Sequence, residues 1–211
     1  MNENPTDPVI TRKADLQALL GTPGEMALNK VIARLDEHCR QFIARSPMLL
    51  LSTSAATGRC DVSPRGDKPG FVLVLDANRL VIPERPGNKR FDSLGNILEN
   101  PQVGLLFLIP GLDETLRING KAVITRDQAL MERLVAEGKT PAVGIQVEVE
   151  EGFLHCGKAF KRSGLWDPGT WTEPGQLPKA AAILTDHAKA LSMTVDQVDT
   201  ILQESYEKRL Y

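Results

Sequence analysis

Two tryptophans, two tyrosines and six phenylalanines are the only aromatic side chains in 211 residues, and they are joined by just three cysteines and three histidines. Cys39, Cys60 and Cys156 form no even, closely spaced set. This excludes a disulfide scaffold and makes a reduced, cytoplasmic protein the expectation. Zinc needs four convergent ligands, whereas His38-Cys39, His155-Cys156 and the isolated Cys60 offer nothing like CxxC, so no metal is expected. The start, Met-Asn-Glu-Asn-Pro, has neither a basic leader nor an apolar stretch. The longest uninterrupted apolar run, Leu105 to Ile109, is far short of the roughly 20 residues of a membrane helix, and no membrane partner is expected. Charge of one sign is lacking too: 25 Lys+Arg against 27 Asp+Glu give a net charge of -2. That removes the broad basic footprint of a nucleic-acid binder, so an anion must be held locally. There is no GxSxG elbow, no P-loop and no GxGxxG, which withdraws support from acyl transfer, nucleoside triphosphate hydrolysis and Rossmann dehydrogenation.

What is present reads as one full domain with appended helices. Helices are expected over 11–20 and 24–45, the second with Leu28, Val31, Leu35 and Phe42 at helical spacing. From residue 48 short β-like runs follow at 48–54, 60–65, 71–76 and 79–83, separated by turn-forming residues. A helix over 92–99 stops at Asn100-Pro101. Two strands, 102–109 and 115–125, then precede a helix over 128–137 and a strand over 143–153, in which Val147 and Val149 oppose Glu148 and Glu150. About seven strands around two short helices point to a mainly β, α+β fold built on a closed or nearly closed antiparallel barrel. After the irregular 166–179, helices are expected at 180–191 and 195–209, the second with Thr194 and Gln197 in capping-box relation.

Three basic segments could carry chemistry. In Asp61-Val62-Ser63-Pro64-Arg65-Gly66-Asp67, Ser63 and Arg65 can point toward an anion while Gly66 permits close backbone approach; the segment can equally be a hairpin turn with a surface arginine. In Glu84-Arg85-Pro86-Gly87-Asn88-Lys89-Arg90, cations gather just before a helix, a natural phosphate seat, or else a solvated loop. In His155 to Trp166, Lys158, Lys161 and Arg162 accompany Phe160 and Trp166, which could pack on a flat ring or simply form an amphipathic helix. No side chain is an obvious general base, so no catalytic residue is assigned.

The segments DVSPRGDKPGFVLVLD, LVIPERPGNKRFDSLGNILENPQVGLLFLIPG, TLRINGKAVIT and HCGKAFKRSGLW occur in an order and spacing that resemble the pyridoxamine 5'-phosphate oxidase-like family of flavin-binding split-barrel proteins. Within that family the chain is most similar to probable FMN-dependent enzymes of unassigned substrate. The resemblance covers about residues 30–167. It implies an antiparallel six-stranded split β-barrel over 46–165, flanked by helical extensions at 1–45 and 166–211. It also implies a homodimer with FMN at the subunit interface, acting as an oxidoreductase on a small molecule. On this basis Asn88, Lys89 and Arg90 match the phosphate-binding turn, and Ser63, Arg65 and Gly66 match the first flavin-contacting strand. Asn96 is a further match, and Lys158, Arg162 and Trp166 would reach the partner's flavin. A non-catalytic flavin carrier or sensor, or a relative binding haem or a deazaflavin, remains open, with His38, His155 and His187 the candidate haem ligands. Authentic pyridoxamine phosphate oxidases end in a basic, Trp- and Arg-containing segment, which this chain replaces with KAAAILTDHAKALSMTVDQVDTILQESYEKRLY.

Overall fold

A computed structural model describes residues 8–211. The chain separates into two compact units, one ending at Val31 and one spanning Ile32–Tyr211. The described part of the first unit holds α1 (Lys13–Leu20) and α2 (Glu25–Asn29). Gly21, at φ 83°, ends α1, a backbone region open to glycine at little cost.

The single helix expected over 24–45 is two helices. α2 stops at Asn29, and α3 (Glu37–Arg45) starts afresh where the Asp36 carboxylate accepts the Cys39 amide at 2.8 Å. Between them Ile32 exchanges backbone hydrogen bonds with Gly152, at 3.0 and 2.7 Å, which a continuous helix would forbid. Leu35, Cys39 and Ile43 are buried, while Leu28 and Val31 are exposed.

The second unit is organised by β1 (Met48–Ser54), β2 (Cys60–Gly66), β3 (Leu73–Val74), β4 (Arg79–Pro83), β5 (Gln102–Leu108), β6 (Thr115–Thr125) and β7 (Gly144–His155). All pairings are antiparallel, in the order β2-β1-β5-β6-β7-β4-β3. The antiparallel α+β architecture is therefore present, with seven strands in the ladder rather than six. The expected strand at 71–76 is reduced to two residues, because Phe71 and Val72 turn inward to the core instead of pairing.

Alternation along the strands makes one face apolar: Leu49, Leu51, Leu105, Phe107, Ile118, Ile145 and Val147 are essentially solvent-free, and Leu35, just before α3, and Ile43, on it, pack in the same core. Between Asn119 and Gly120 a bulge shifts the β6–β7 register. α4 (Asp92–Glu99) crosses the inner face near β1 and β2, ending before Pro101 as expected. α5 (Gln128–Glu132) stops five residues earlier than 137, since Glu137 and Gly138 are left-handed and the 136–139 turn closes on itself. α6 (Lys158–Ser163) follows β7, and α7 (Ala180–His187) and α8 (Val195–Lys208) complete the chain, α8 with its Thr194–Gln197 capping box formed.

Candidate functional site

β2 is an edge strand with inverted polarity. Its partners on β1 set its faces: Asp61, Ser63 and Arg65 lie opposite Thr53, Leu51 and Leu49, all buried core-side residues, while Val62 and Pro64 face outward. An ordinary edge strand would put Val62 and Pro64 inside. Polar groups on the core side of an edge must find polar partners there. Pro64 costs no ladder bond at the outermost strand.

Opposite β2, the chain leaves β4 at Pro83 and runs through 84–91 into α4. Lys89 and Phe91 both adopt left-handed backbone, at φ 58° and 59°, and the Asn88 side chain accepts the Arg90 amide at 3.0 Å. A bulky aromatic held left-handed is strained. Phe91 is also the N-cap of α4 and makes no side-chain cap bond. Among the described residues, nothing accepts the amides of Asp92, Ser93 or Leu94. These unpaired donors sit at the positive end of the helix.

Between β2, this loop and α4 lies a cleft of about 890 Å³ that takes in Ser63, Arg65, Gly66, Asn88, Lys89 and Arg90. The structure thus brings six of the ten sequence-derived candidates into one concavity. Its charges are largely matched: Arg65 pairs with Glu84, Arg90 Nε meets Asp92 at 2.8 Å, and Asp61 accepts the Ser93 hydroxyl at 2.6 Å. The bond to Asp92 raises the Arg90 guanidinium further and that from Arg90 lowers the Asp92 carboxyl. Lys89 has no ion pair or hydrogen bond among the described residues. The buried Arg65 Nε also lacks an acceptor. A buried N–H without a partner and an unpaired ammonium beside a helix N-terminus together fit an anionic ligand with further acceptors.

The other four candidates lie elsewhere. Asn96 is buried and donates to Thr53 Oγ1 at 3.0 Å, tying α4 to β1. Lys158 and Arg162 project from α6, whose Lys161 pairs with Asp113 at 2.9 Å. Trp166 stacks on Phe160 at 5.8 Å and donates its indole N–H to the Leu112 carbonyl at 3.0 Å.

Several cleft residues escape sequence reasoning. Glu84 reveals itself only through Arg65, and 139–143 and Leu210–Tyr211 complete the wall from distant parts of the chain. Asp67, just after β2, accepts Arg85 Nε at 2.7 Å and the Tyr211 hydroxyl at 2.6 Å. Burial pushes the Asp67 carboxyl up, but the bonds from Tyr211 and Lys68 and the Arg85 charge outweigh it and hold it below the usual carboxylate range. The same hydrogen bond to Asp67, with burial, raises the Tyr211 phenol. Among the described residues no group of three or more His, Cys, Asp or Glu could hold a metal, and no helix is long and apolar enough to cross a membrane.

The family model described as pyridoxamine 5'-phosphate oxidase matches residues 35–156. No curated protein sequence matches the chain significantly. Solved structures similar to it include HupZ of Group A Streptococcus, with 17% identity, 56% of this chain and 92% of that one covered, and a TM-score of 0.46. An FMN-binding protein of Syntrophomonas wolfei covers 56% of this chain and 83% of its own, at 12% identity and a TM-score of 0.45. The heme storage protein HutZ of Vibrio cholerae covers 58% and 94%, at 18% identity and a TM-score of 0.40.

Proposed function

Since the chain belongs to the pyridoxamine 5'-phosphate oxidase family, we propose that it binds FMN in the cleft between β2 and α4 and serves as an FMN-dependent oxidoreductase for a small molecule. The observation that carries this reading is the convergence of unpaired Lys89 with the uncapped N-terminus of α4. A phosphate dianion would meet Lys89, Arg90 and the α4 amides, and Ser63, Arg65, Gly66 and Asn88 would line the ring and its chain. Bound FMN would supply reversible one- or two-electron transfer. The protein's part is to place it: Arg65 Nε gains the acceptor it lacks, and Asn96 holds α4 at the correct depth through Thr53.

We further propose a cytoplasmic homodimer, with Lys158, Arg162 and Trp166 directed at the second subunit's flavin. The outer sheet face supports dimerisation. Pro64, Leu50, Leu106, Arg117 and Phe153 are in register across five strands, and Met48 and Leu108 lie in the next row, a band apolar but for Arg117 that a lone subunit leaves partly exposed. A flavin carrier or sensor without turnover has its own support: the cleft carboxylates Asp61, Glu84 and Asp92 are each engaged, leaving no free base.

Protein purified without added flavin should show flavin absorbance in the visible, or the apo-protein should bind FMN saturably. Lys89→Ala with Arg90→Ala should weaken FMN binding by at least about tenfold, because charge-assisted contacts to the phosphate are lost. Absence of both flavin absorbance and saturable binding would sink the reading. Reduction of bound FMN by NADH or NADPH separates the enzyme from the carrier.

A further inference from the structure

The geometry points to Tyr211 as a positioning residue of the cleft: through Asp67 and Arg85 it fixes the segment 85–91 that carries Asn88, Lys89 and Arg90. That segment has few other anchors. Between the Glu84 amide, which donates to the Val143 carbonyl at 3.1 Å, and the Gly95 amide, which donates to Phe91, no backbone–backbone bond ties it to the rest of the protein among the described residues. Pro86 has no N–H to offer. The Asn88–Arg90 bond is internal to the segment, and Arg90–Asp92 joins it only to α4. Arg85 is therefore the link to the body of the fold, through its Nε to Asp67 at 2.7 Å and its Nη1 to the Leu134 carbonyl at 2.8 Å.

Asp67 is in turn held by Tyr211. Its side chain is 3% exposed, so its oxygens must be satisfied by protein groups. One oxygen takes Arg85, and the other accepts the Tyr211 hydroxyl at 2.6 Å and the Lys68 amide at 2.7 Å. On the far side, the Tyr211 main-chain oxygen accepts Lys139 Nζ at 2.5 Å. Leu210 and Tyr211 line the same cleft as the segment they restrain. The helical hairpin of α7 and α8 thereby acquires a role that its own sequence does not suggest: it delivers a phenol to a buried carboxylate at the end of β2.

The positioning stands on these contacts alone, and only its consequence for a ligand rests on the flavin reading. The test compares the full-length wild type with Tyr211→Phe, Tyr211→Ala and Lys89→Ala, by amide hydrogen exchange without ligand and by FMN titration. In Tyr211→Phe and Tyr211→Ala alike, exchange of the hydrogen-bonded Glu84 and Gly95 amides, which bracket 85–91, should rise by at least about threefold while 102–108 in β5 is unchanged. FMN should bind about three- to tenfold more weakly, mainly through faster dissociation. Adding Tyr211→Phe to Asp67→Asn should produce little further change, since the phenol acts on Arg85 only through that carboxylate. Unchanged exchange at both Glu84 and Gly95 in Tyr211→Phe overturns the proposal, as does a rise shared equally by 102–108, which would mark general destabilisation. Faster exchange at Glu84 and Gly95 in the variants with no FMN binding by the wild type upholds the positioning and removes the flavin reading instead.

Discussion

Cys39, Cys60 and Cys156 are chemically identical and differ only in surroundings. Cys39 is buried on α3, and burial, with the nearby Asp36 carboxylate, pushes its thiol up to about 11. Cys60 and Cys156 are exposed. Because the thiolate is the reactive form, an aromatic disulfide reagent at pH 8 should titrate two thiols rapidly and the third only on unfolding. Cys39→Ser should leave the count of fast thiols at two, whereas Cys60→Ser should reduce it to one. At this scale the sequence is readable where chemistry is local. Asn88, Lys89 and Arg90 stand together in the chain and stand together in the cleft. Glu84 and Tyr211 are not readable as cleft residues, because nothing in their neighbourhood records that Arg65 and Asp67 will face them. Asn96 shows the converse: its place on a helix beside the basic segment is legible, but only burial against Thr53 discloses that its amide is occupied in structure.

Among the elements, the β6–β7 pairing depends on a single missing side chain. A Cβ on Gly120 would lie 2.0 Å from the Glu148 carbonyl oxygen, in the bulge where the register shifts. Neither backbone can withdraw without breaking ladder bonds, so Gly120→Ala should destabilise by about 1–3 kcal/mol and lower Tm by about 2–10 °C. Gly95, on α4, meets nothing within 4 Å, and Gly95→Ala should instead stabilise by about 0.5–1 kcal/mol. Thermal unfolding of the two variants measures the contrast. The strands 48–54, 79–83 and 115–125 and the helix 92–99 are found at their expected limits, since alternation, Pro101 and turn residues are local signals. The continuous helix over 24–45 fails for a non-local reason. Leu28, Val31 and Leu35 have helical spacing, but the backbone bonds of Ile32 go to Gly152, about 120 residues away, and Asp36 then opens a new helix.

For the molecule as a whole, the proposed homodimer is the feature most open to direct test. Leu106 is centred in the outward apolar band, flanked in register by Leu50 and Arg117. Leu106→Lys should convert a dimer to a monomer in sedimentation or size-exclusion measurements, because an ammonium buried in that band would be unpaired and would lie beside the like charge of Arg117. It should lower FMN content as well if the second subunit lines the flavin. A wild-type monomer would overturn the dimer, and a dimer unaffected by Leu106→Lys would place the interface elsewhere. The sequence by itself determined the antiparallel strand pattern, the alternation of Asp61-Val62-Ser63-Pro64-Arg65 and the clustering of cations before α4, since each is set by periodicity and near neighbours, whereas the pairing with β1 decided which face of that strand turns inward. Tertiary structure alone decided that these meet in one cleft, that Arg65 is paired with Glu84 while Lys89 is not, and that Tyr211 closes on Asp67. Those outcomes depend on contacts across up to 144 positions of chain, where packing and desolvation select partners that local spacing does not specify.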